Sequence, residues 1–275
     1  PLHGWLPRAM VAPAPVSALL HAVAVVKAGA FGILRVIYDL YGIELSVELG
    51  VTTVLAVAAS ITIIYGSLRA IAQEELKPRL AFSTISQVSY VVLGVSLFGP
   101  FGTIGALAHL LHQGLMKVTL FFCAGNYAEE LGIHRLDEMD GAGKRMPLTS
   151  LAFTVGALGM IGLPPTAGFI TKWYLGMGAI EADMYWVVAV LVASSTLNAI
   201  YFLPIVHRLW FREGPAHGKG QWPKEQSLGR LETHGWLLWP AVLTAVISIG
   251  AGLLAGLPFS PLDWATRVAV GEYLP

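Results

Sequence analysis

Long apolar stretches alternate with short polar segments along this chain, and their lengths define the predicted fold. Continuous hydrophobic runs of roughly 20 residues, enough for a helix to cross about 30 Å of hydrocarbon, recur along the whole sequence. Seven of them lie near residues 16–38, 49–69, 80–98, 102–127, 148–178, 184–206 and 235–256. The alternating pattern of a membrane β-barrel is absent, and open sheets leave backbone groups unpaired in lipid. The pattern therefore predicts an all-α polytopic membrane protein with about seven transmembrane helices.

Composition supports the membrane class. Hydrophobic residues make up 55% of the 275 positions, charged residues only 12%, and the mean hydropathy is +0.66. These values lie outside the usual range of soluble domains. A formal net charge of zero argues against a nucleic-acid partner. Pro1 is not an initiator and no signal-peptide pattern follows it, so we expect a fragment or a processed half of a longer protein.

Basic residues outside the spans are distributed unevenly between the two sides of the predicted bundle. Successive loops between the spans must lie on alternate sides of the membrane. Counted in this way, twelve Lys and Arg residues fall on the side where the chain starts and two on the other. The twelve are Arg8, Arg69, Lys77, Arg79, Arg135, Lys144, Arg145, Arg208, Arg212, Lys219, Lys224 and Arg230, and the two are Arg35 and Arg267. Because positive residues are enriched on the cytoplasmic side, the start of the chain is predicted to be cytoplasmic. We expect an integral protein of a bacterial inner membrane.

Six bases lie within or beside the spans without an acidic partner. They are Lys27, Lys117, Lys172, His21, His109 and His112, whereas every acidic residue falls in a loop, a tail or a span end. A lysine at membrane depth is costly, and removal from water favours its uncharged form. Histidine exchanges protons near neutral pH. We therefore predict a proton relay. Snorkelling or structural pairing is the alternative, and it fits Lys172 best because that lysine is nearest a span end.

The stretch HLLHQGLMKVTLFF at residues 109–122 holds three of these bases. On a regular helix, about 12 Å of rise and roughly 80° of rotation separate His109 from Lys117, so both can share one broad face with His112. Gln113 and Gly114 between them are predicted to loosen the helix and admit water. Histidines three residues apart can also share a metal ion, but no carboxylate or cysteine ligand lies nearby. We predict no metal site and no cofactor.

Four polar side chains in the spans are candidates for holding water along the relay. They are Ser83, Ser86, Gln87 and Thr119. Small polar residues in transmembrane helices often pack helices together instead, and this alternative stays open.

The fifth span contains a predicted helix break in MIGLPPTAGFITKWYLG. Pro164 and Pro165 lack amide donors and clash with the preceding turn, so the helix is interrupted there, with Gly168 just beyond. Lys172 follows this break. Broken helices at membrane depth are typical of ion sites in transporters, and a plain proline kink is the alternative.

A weak internal sequence repeat relates the first residues of the chain to residues 165–200. PLHGWL at 1–6 is similar to PTAGFI at 165–170. SALLHAV at 17–23 is similar to SSTLNAI at 194–200, and this second alignment pairs His21 with Asn198. From the span count, the two copies of the second alignment cross the membrane in opposite directions. Opposed copies are typical of inverted-repeat transporters, and chance matching is the alternative.

Four stretches together form a specific sequence pattern: PLHGWLPRAMVAPAPVSALLHAVAVVKAG, RLAFSTISQVSYVVLG, HLLHQGLMKVTLFFCAGN and GLPPTAGFITKWYL. They resemble the antiporter-like subunits shared by Mrp-type cation/proton antiporters, respiratory complex I and membrane-bound hydrogenases. The likeness is most detailed to the D-type subunits of the Mrp antiporters, through HAVAVVKAGAF, LFFCAGN and GMIGLPPTAGFITKWYLG.

The resemblance implies about fourteen transmembrane helices built from two five-helix inverted repeats, with this chain as the C-terminal half. Residues 1–10 would be the second part of the broken seventh helix, and the spans would be helices eight to fourteen. The implied division is one transmembrane domain, 1–275. It comprises the end of a broken helix and a loop (1–15), helices of the second repeat region (16–206), a cytoplasmic loop (207–234) and the last helix with its tail (235–275).

The resemblance also assigns roles to the bases. Lys27 matches the linking lysine of helix eight, with His21 beside it. His109 and Lys117 match the relay of helix eleven, and Lys172 matches the terminal basic residue of broken helix twelve. The family's glutamate of helix five and lysine of helix seven would precede this chain, so either a partner chain supplies them or this chain cannot pump alone.

Together these features predict a proton-translocating subunit of a multisubunit cation/proton antiporter. Its partners would be other membrane subunits, including one that completes the N-terminal half, and its ions would be protons, with sodium as a candidate. A proton-pumping subunit of a redox-driven complex is the first alternative, and a non-conducting scaffold is the second. The sequence holds no nucleotide fingerprint, nucleophile triad or paired catalytic carboxylates, which argues for an ion transporter and against an enzyme.

The final segment, SPLDWATRVAVGEYL, is predicted to form a short interfacial helix with Trp264 and Tyr273 at headgroup level. A bare connector is the alternative.

Overall fold

The fold is built from helices packed around one long central helix. This computed structural model describes residues 3–214, Trp222 and residues 231–273, and at residues 20–22 it describes the backbone alone. The α-helices of these ranges are α1 Trp5–Arg8, α2 Ala14–Ser17, α3 Val25–Arg35, α4 Ile43–Glu48, α5 Val51–Ile71, α6 Leu76–Ser96, α7 Pro100–Glu130, α8 Ala142–Arg145, α9 Pro147–Ile161, α10 Ala167–Glu181, α11 Tyr185–Phe211, α12 Gly235–Leu253 and α13 Pro261–Tyr273. Two π-helical segments, Ala18–Ala24 and Val36–Tyr41, and one 3₁₀ turn, Asp137–Met139, complete them. No strand occurs within the same ranges.

The predicted spans coincide with the observed helices. Helices α5, α6, α7, α11 and α12 each occupy one apolar run, the first run forms α2, α3 and both π segments, and the fifth is divided between α9 and α10. By length and composition alone, 4 helices of the described part can cross a membrane: Val51–Ile71, Pro100–Glu130, Tyr185–Phe211 and Gly235–Leu253. Three predicted spans fall outside that group. Two are divided into short pieces, and α9 and α10 have 15 residues each. The third, α6, has 21 residues, but its basic, hydroxyl and amide side chains lower its hydropathy.

Helix α7 is the centre of the bundle, with α6, α9, α10, α12 and α13 packed against it. Met116, Phe121 and Tyr127 are fully buried in the main hydrophobic core. The helix is regular over its whole length, so the prediction that Gln113 and Gly114 loosen it is wrong. Close neighbours on several sides hold the helix in its regular form, and Gly114 instead allows another side chain to approach.

The fifth span is broken where the two prolines predict. Helix α9 ends before Pro164 and Pro165, and α10 begins after them, because neither proline can donate to the helical ladder. Gly168 lies where the two half-helices cross, and a Cβ there would overlap the Gly159 carbonyl oxygen. Helix α10 therefore restarts tightly packed against α9.

Helix α11 extends further than its apolar run. It includes residues 207–211. The prediction of a loop beginning at residue 207 is therefore wrong for these residues, which form the last helical turn. Arg208 pairs with Asp140 at 3.0 Å, and Trp210 Nε1 donates to the Thr154 hydroxyl at 2.9 Å. These tertiary contacts stabilise helix beyond the hydrophobic run. The remaining predicted loop lies mostly at 215–221 and 223–230, outside the described residues.

The C-terminal segment forms α13, which is a helix and not a bare connector. It shares an apolar cluster with α7. The Tyr273 hydroxyl lies 3.0 Å from the Thr103 hydroxyl of α7, while Trp264 is exposed. The position of these aromatic rings at headgroup level stays a prediction.

Candidate functional site

Lys117 lies in a buried polar network between α6, α7 and α11. Its side chain is 0% exposed, and its Nζ donates to the Ser83 hydroxyl at 2.6 Å and to the Leu80 carbonyl at 3.2 Å. The Phe202 ring centroid lies 5.8 Å from the same nitrogen. No ion pair found among the described residues includes Lys117. Neutral acceptors and an aromatic face therefore form its surroundings.

Hydroxyl and amide groups continue this network away from Lys117. Ser83 Oγ lies 2.8 Å from the Tyr201 hydroxyl, which donates to Asn198 Oδ1 at 2.6 Å. Because the Tyr201 proton is used in that bond, Ser83 donates to Tyr201 and accepts from Lys117. Asn198 Nδ2 then donates to the Met160 carbonyl at 3.1 Å. The bonds thus all point from the lysine toward the end of α9.

Lys172 completes the network at the helix break. Its Nζ donates to the carbonyls of Met160 at 3.0 Å and Ile161 at 2.8 Å, and to the Ser195 hydroxyl at 3.0 Å. The last carbonyls of a helix have no intrahelical partner, and this end of a helix attracts a cation. The Lys172 ammonium therefore caps α9. Since Asn198 shares the Met160 carbonyl, the network is continuous between the two lysines.

The two histidines of α7 are fully buried and face α6 and α10. His109 Nε2 lies 3.1 Å from the backbone carbonyl oxygen of Gln87, and its Nδ1 lies 2.9 Å from the Thr171 hydroxyl. His112 Nδ1 lies 3.1 Å from the Ala167 carbonyl. A carbonyl only accepts, so His109 Nε2 and His112 Nδ1 each carry a proton. In neutral His112 the other nitrogen, Nε2, is therefore unprotonated and can accept a hydrogen bond. This buried atom has no partner among the described residues.

Lys27, on α3, reaches α7 at Gly114. A Cβ at Gly114 would overlap the Lys27 Nζ, so the glycine provides the space that the ammonium occupies. Lys27 and Lys172 are both half-buried, in contrast to Lys117. His21 lies on the π segment before α3, but its side chain lies outside the described residues. Lys27 therefore contacts the same helix that carries both histidines and Lys117.

Several buried polar atoms near these bases have no hydrogen-bond partner in the described part of the chain. They are Gln87 Nε2 and Oε1, His112 Nε2 and Gln113 Nε2, whereas the Tyr90 hydroxyl has the Ser194 and Ser195 hydroxyls beside it. The Tyr90 ring contacts two of the bases, with the His109 ring at 5.2 Å and Lys172 Nζ at 5.5 Å from its centroid. Buried polar groups in proteins are nearly always paired with protein or ordered water. These atoms therefore lack the hydrogen-bond partner that buried polar groups usually have.

Two of the predicted polar residues connect helices away from the bases. The Ser86 hydroxyl lies 2.9 Å from the Ser67 hydroxyl of α5, and the Thr119 hydroxyl lies 2.8 Å from the Thr244 hydroxyl of α12. This is the helix-packing role that the sequence left open. The Ser83 hydroxyl, in contrast, accepts from Lys117, and the Gln87 backbone carbonyl accepts from His109.

Acidic residues pair with arginines outside the spans. Arg145 lies 3.2 Å from Glu130 at the end of α7. The Arg135 guanidinium, hydrogen-bonded to Asp137, lowers the pKa of that carboxyl below its usual value. No group of three or more His, Cys, Asp or Glu side chains that could hold a metal ion occurs in the described ranges.

Comparison with known proteins identifies the family. The model of the family described as "NADH:quinone oxidoreductase/Mrp antiporter, TM" matches residues 1–198. The chain belongs to this family. It is 40% identical over 258 residues to NADH-quinone oxidoreductase subunit N of Desulforudis audaxviator (strain MP104C), covering 92% of this chain and 51% of that relative. The predicted resemblance to antiporter-like membrane subunits is confirmed.

Solved structures of complexes from this family share the fold. A chain of the Mrp complex from Dietzia sp. DQ12-45-1b superposes with a TM-score of 0.82 at 28% identity, covering 100% of this chain and 56% of that chain. A chain of respiratory complex I from Thermus thermophilus with bound NADH gives 0.78 at 25% identity, covering 99% and 55%. The predicted all-α membrane fold is thus confirmed, and the chain spans about half the length of these relatives.

Sequence reasoning missed five residues of the network. They are Tyr90, Thr171, Ser195, Asn198 and Tyr201. The internal repeat that pairs His21 with Asn198 is the one signal that pointed to any of them. Helix α11 supplies three of the five, and its apolar run contains no charged residue that would have indicated a polar contact.

Proposed function

We propose that this chain translocates protons along the bases Lys27, His112, His109, Lys172 and Lys117. The observation that carries the proposal is the environment of Lys117, whose fully buried ammonium is held by a hydroxyl, a carbonyl and an aromatic ring. Burial favours the uncharged form of an unpaired base, which makes proton release possible at neutral pH. A non-conducting scaffold would have no need to bury a lysine in this way.

Electrostatic coupling between neighbouring bases would move the proton onward. Lys172 and Asn198 share the Met160 carbonyl, and Asn198 is connected through Tyr201 and Ser83 to Lys117. In a low-dielectric interior, a proton on one base raises the cost of a proton on the next. Release at one lysine therefore favours uptake at its neighbour.

Ordered water would bridge the gaps that side chains leave. The side-chain atoms of Gln87, Gln113 and His112 that have no partner among the described residues support this step. Hydrogen bonds connect Lys117 to Lys172 without a gap, but the Asn198 amide and the Met160 backbone carbonyl do not pass protons as a hydroxyl does, so these bonds alone do not form a proton path. Water beside Gln87 and Tyr90 would supply a path between Lys172 and the histidines.

The assembly is proposed to be a multisubunit cation/proton antiporter. The superposition on the Mrp complex, with a TM-score of 0.82, supports this assignment. The 40% identity to an NADH-quinone oxidoreductase subunit supports the second candidate, a redox-driven proton pump, in which the chain would be part of a translocating enzyme. In both, other membrane subunits would surround the chain, and one would complete its N-terminal half.

We further propose that the chain forms one transmembrane domain in a bacterial inner membrane, with its N-terminal end on the cytoplasmic side. The twelve-to-two distribution of basic residues outside the spans supports this orientation.

Proton movement into inside-out membrane vesicles that carry the complete assembly tests the function. For an antiporter it is driven by diluting cation-loaded vesicles into cation-free buffer, so that cation efflux draws protons in, and for a redox-driven pump it is driven by supplying the electron donor. Lys27→Ala and Lys117→Ala are each expected to abolish dye-detected acidification, because each removes a base from the relay. Lys144→Ala is the matched control, since Lys144 is exposed on α8, and it should acidify at the wild-type rate.

Blue-native electrophoresis of the same membranes shows whether each variant assembles. Wild-type acidification in both assembled Lys27→Ala and Lys117→Ala would refute the relay. Mass spectrometry of the intact purified assembly separates the two candidate complexes, because a redox-driven pump must copurify with iron–sulfur subunits and an antiporter must not.

A further inference from the structure

The Thr171 hydroxyl on α10 has one proton and two neighbouring acceptors. Its Oγ1 lies 3.0 Å from the Gly168 carbonyl and 2.9 Å from His109 Nδ1, and the side chain is fully buried. A hydroxyl donates one hydrogen bond and accepts at its lone pairs. The charge state of the imidazole therefore decides where the Thr171 proton points.

Two arrangements satisfy these atoms. In both, His109 Nε2–H donates to the Gln87 carbonyl. When His109 is neutral, Nδ1 is a lone pair, so Thr171 must donate to it and release the Gly168 carbonyl. When His109 is charged, Nδ1–H donates to the Thr171 oxygen, and the hydroxyl proton returns to Gly168.

We propose that Thr171 is a positioning residue whose hydroxyl reorients between His109 Nδ1 and the Gly168 carbonyl whenever His109 changes charge. This inference rests on the proposed function and adds to it a mechanical link between α7 and α10. Gly168 lies in the first turn of α10, where the Ala167 carbonyl also accepts from His112. Lys172 follows Thr171 directly, so both histidines act on the turn that leads to the capping lysine.

Other titratable groups face His109 and remain unchanged when Thr171 is replaced. They are Tyr90 on α6, Lys172 on α10, His112 on α7 and Lys27 on α3. A change in pH dependence caused by a substitution at Thr171 therefore reports the lost hydroxyl.

The pH profile of vesicle acidification in the complete assembly tests this link. Thr171→Val keeps the shape of the side chain and removes the hydroxyl. Hydrogen bonds to charged groups are stronger than those to neutral groups. Removal of the hydroxyl therefore destabilises the charged form of His109 more than the neutral form. The acidic limb of the profile is expected to move to lower pH by about one unit. Thr171→Ser restores the hydroxyl and should restore the wild-type profile.

Thr266→Val is the control, because the Thr266 hydroxyl bonds to the Leu262 carbonyl of its own helix on α13; it should keep the wild-type profile. If Thr171→Val does not assemble, Thr171→Ser and Thr171→Ala provide the same comparison, since they differ by the hydroxyl alone. Coincident profiles for the variants with and without the hydroxyl would overturn the inference.

A second measurement does not depend on transport. The ¹⁵N signals of His109, assigned in the purified assembly by difference from His109→Gln, should titrate at lower pH in Thr171→Val than in wild type. If wild-type vesicles move no protons, the proposed function fails while this titration still decides the role of Thr171. An unchanged His109 titration would refute the hydroxyl switch.

Discussion

At the residue scale, the central feature is how the protein holds ammonium groups inside its spans with neutral acceptors, since no ion pair found among the described residues includes Lys117 or Lys172. Lys117 is bound by Ser83 and Leu80, and Lys172 by two carbonyls and a hydroxyl. Neutral acceptors stabilise an ammonium less than a buried carboxylate does, so the proton stays exchangeable. Lys27 is different, because its position depends on the absence of a side chain at Gly114.

Gly114→Ala is therefore predicted to inhibit proton movement while leaving the assembly intact. The new Cβ would occupy the place of the Lys27 Nζ, and the flexible end of the lysine can move away without disturbing the helix. Gly29→Ala is the matched control, because, beyond its chain neighbours and the backbone of its own helix, no described atom lies within 4 Å of a Cβ at that position on α3. Vesicle acidification at the wild-type rate in Gly114→Ala would show that the position of Lys27 does not matter.

At the element scale, the broken span shows what the sequence could and could not predict. Two consecutive prolines were sufficient to locate the break between α9 and α10, since their effect on a helix is local. The capping of α9 by Lys172 was not predictable, because it depends on α10 folding back over the end of α9. Gly114 was misinterpreted for the same reason, as its role depends on a helix distant in sequence.

Lys172→Met tests whether the ammonium caps the break. The variant keeps the length of the side chain and leaves the Ile161 carbonyl without this donor. We expect this loss to lower the free energy of unfolding by roughly 1–3 kcal/mol. We expect a lower melting temperature of the solubilised assembly, measured by intrinsic fluorescence, and an unchanged one for Lys144→Met. Equal melting temperatures for Lys172→Met and wild type would contradict the capping role.

At the scale of the whole molecule, hydropathy located every described helix of 15 residues or more, because apolar runs of membrane length have few other structures available to them. It could not reveal that Tyr201 and Asn198 on α11 connect to Ser83 on α6, since this contact joins helices distant in the chain. The end of α11 was misplaced because tertiary contacts, and not hydrophobicity, extend it.

The orientation of the chain can be tested by chemical labelling. Lys144→Cys and Arg267→Cys place exposed thiols on opposite predicted sides of the membrane, while the native Cys123 is fully buried. A membrane-impermeant maleimide should label Lys144→Cys in inside-out vesicles and Arg267→Cys in right-side-out vesicles, with little labelling of the wild type. The reverse pattern would invert the proposed topology.

The central claim is that Lys117 must exchange its proton and not merely carry a charge. Acidification of inside-out vesicles by Lys117→Arg tests this most directly, because a guanidinium keeps the positive charge and does not deprotonate in proteins. The account predicts an assembled complex, verified by blue-native electrophoresis, that moves no protons. Proton movement at the wild-type rate in Lys117→Arg would contradict it.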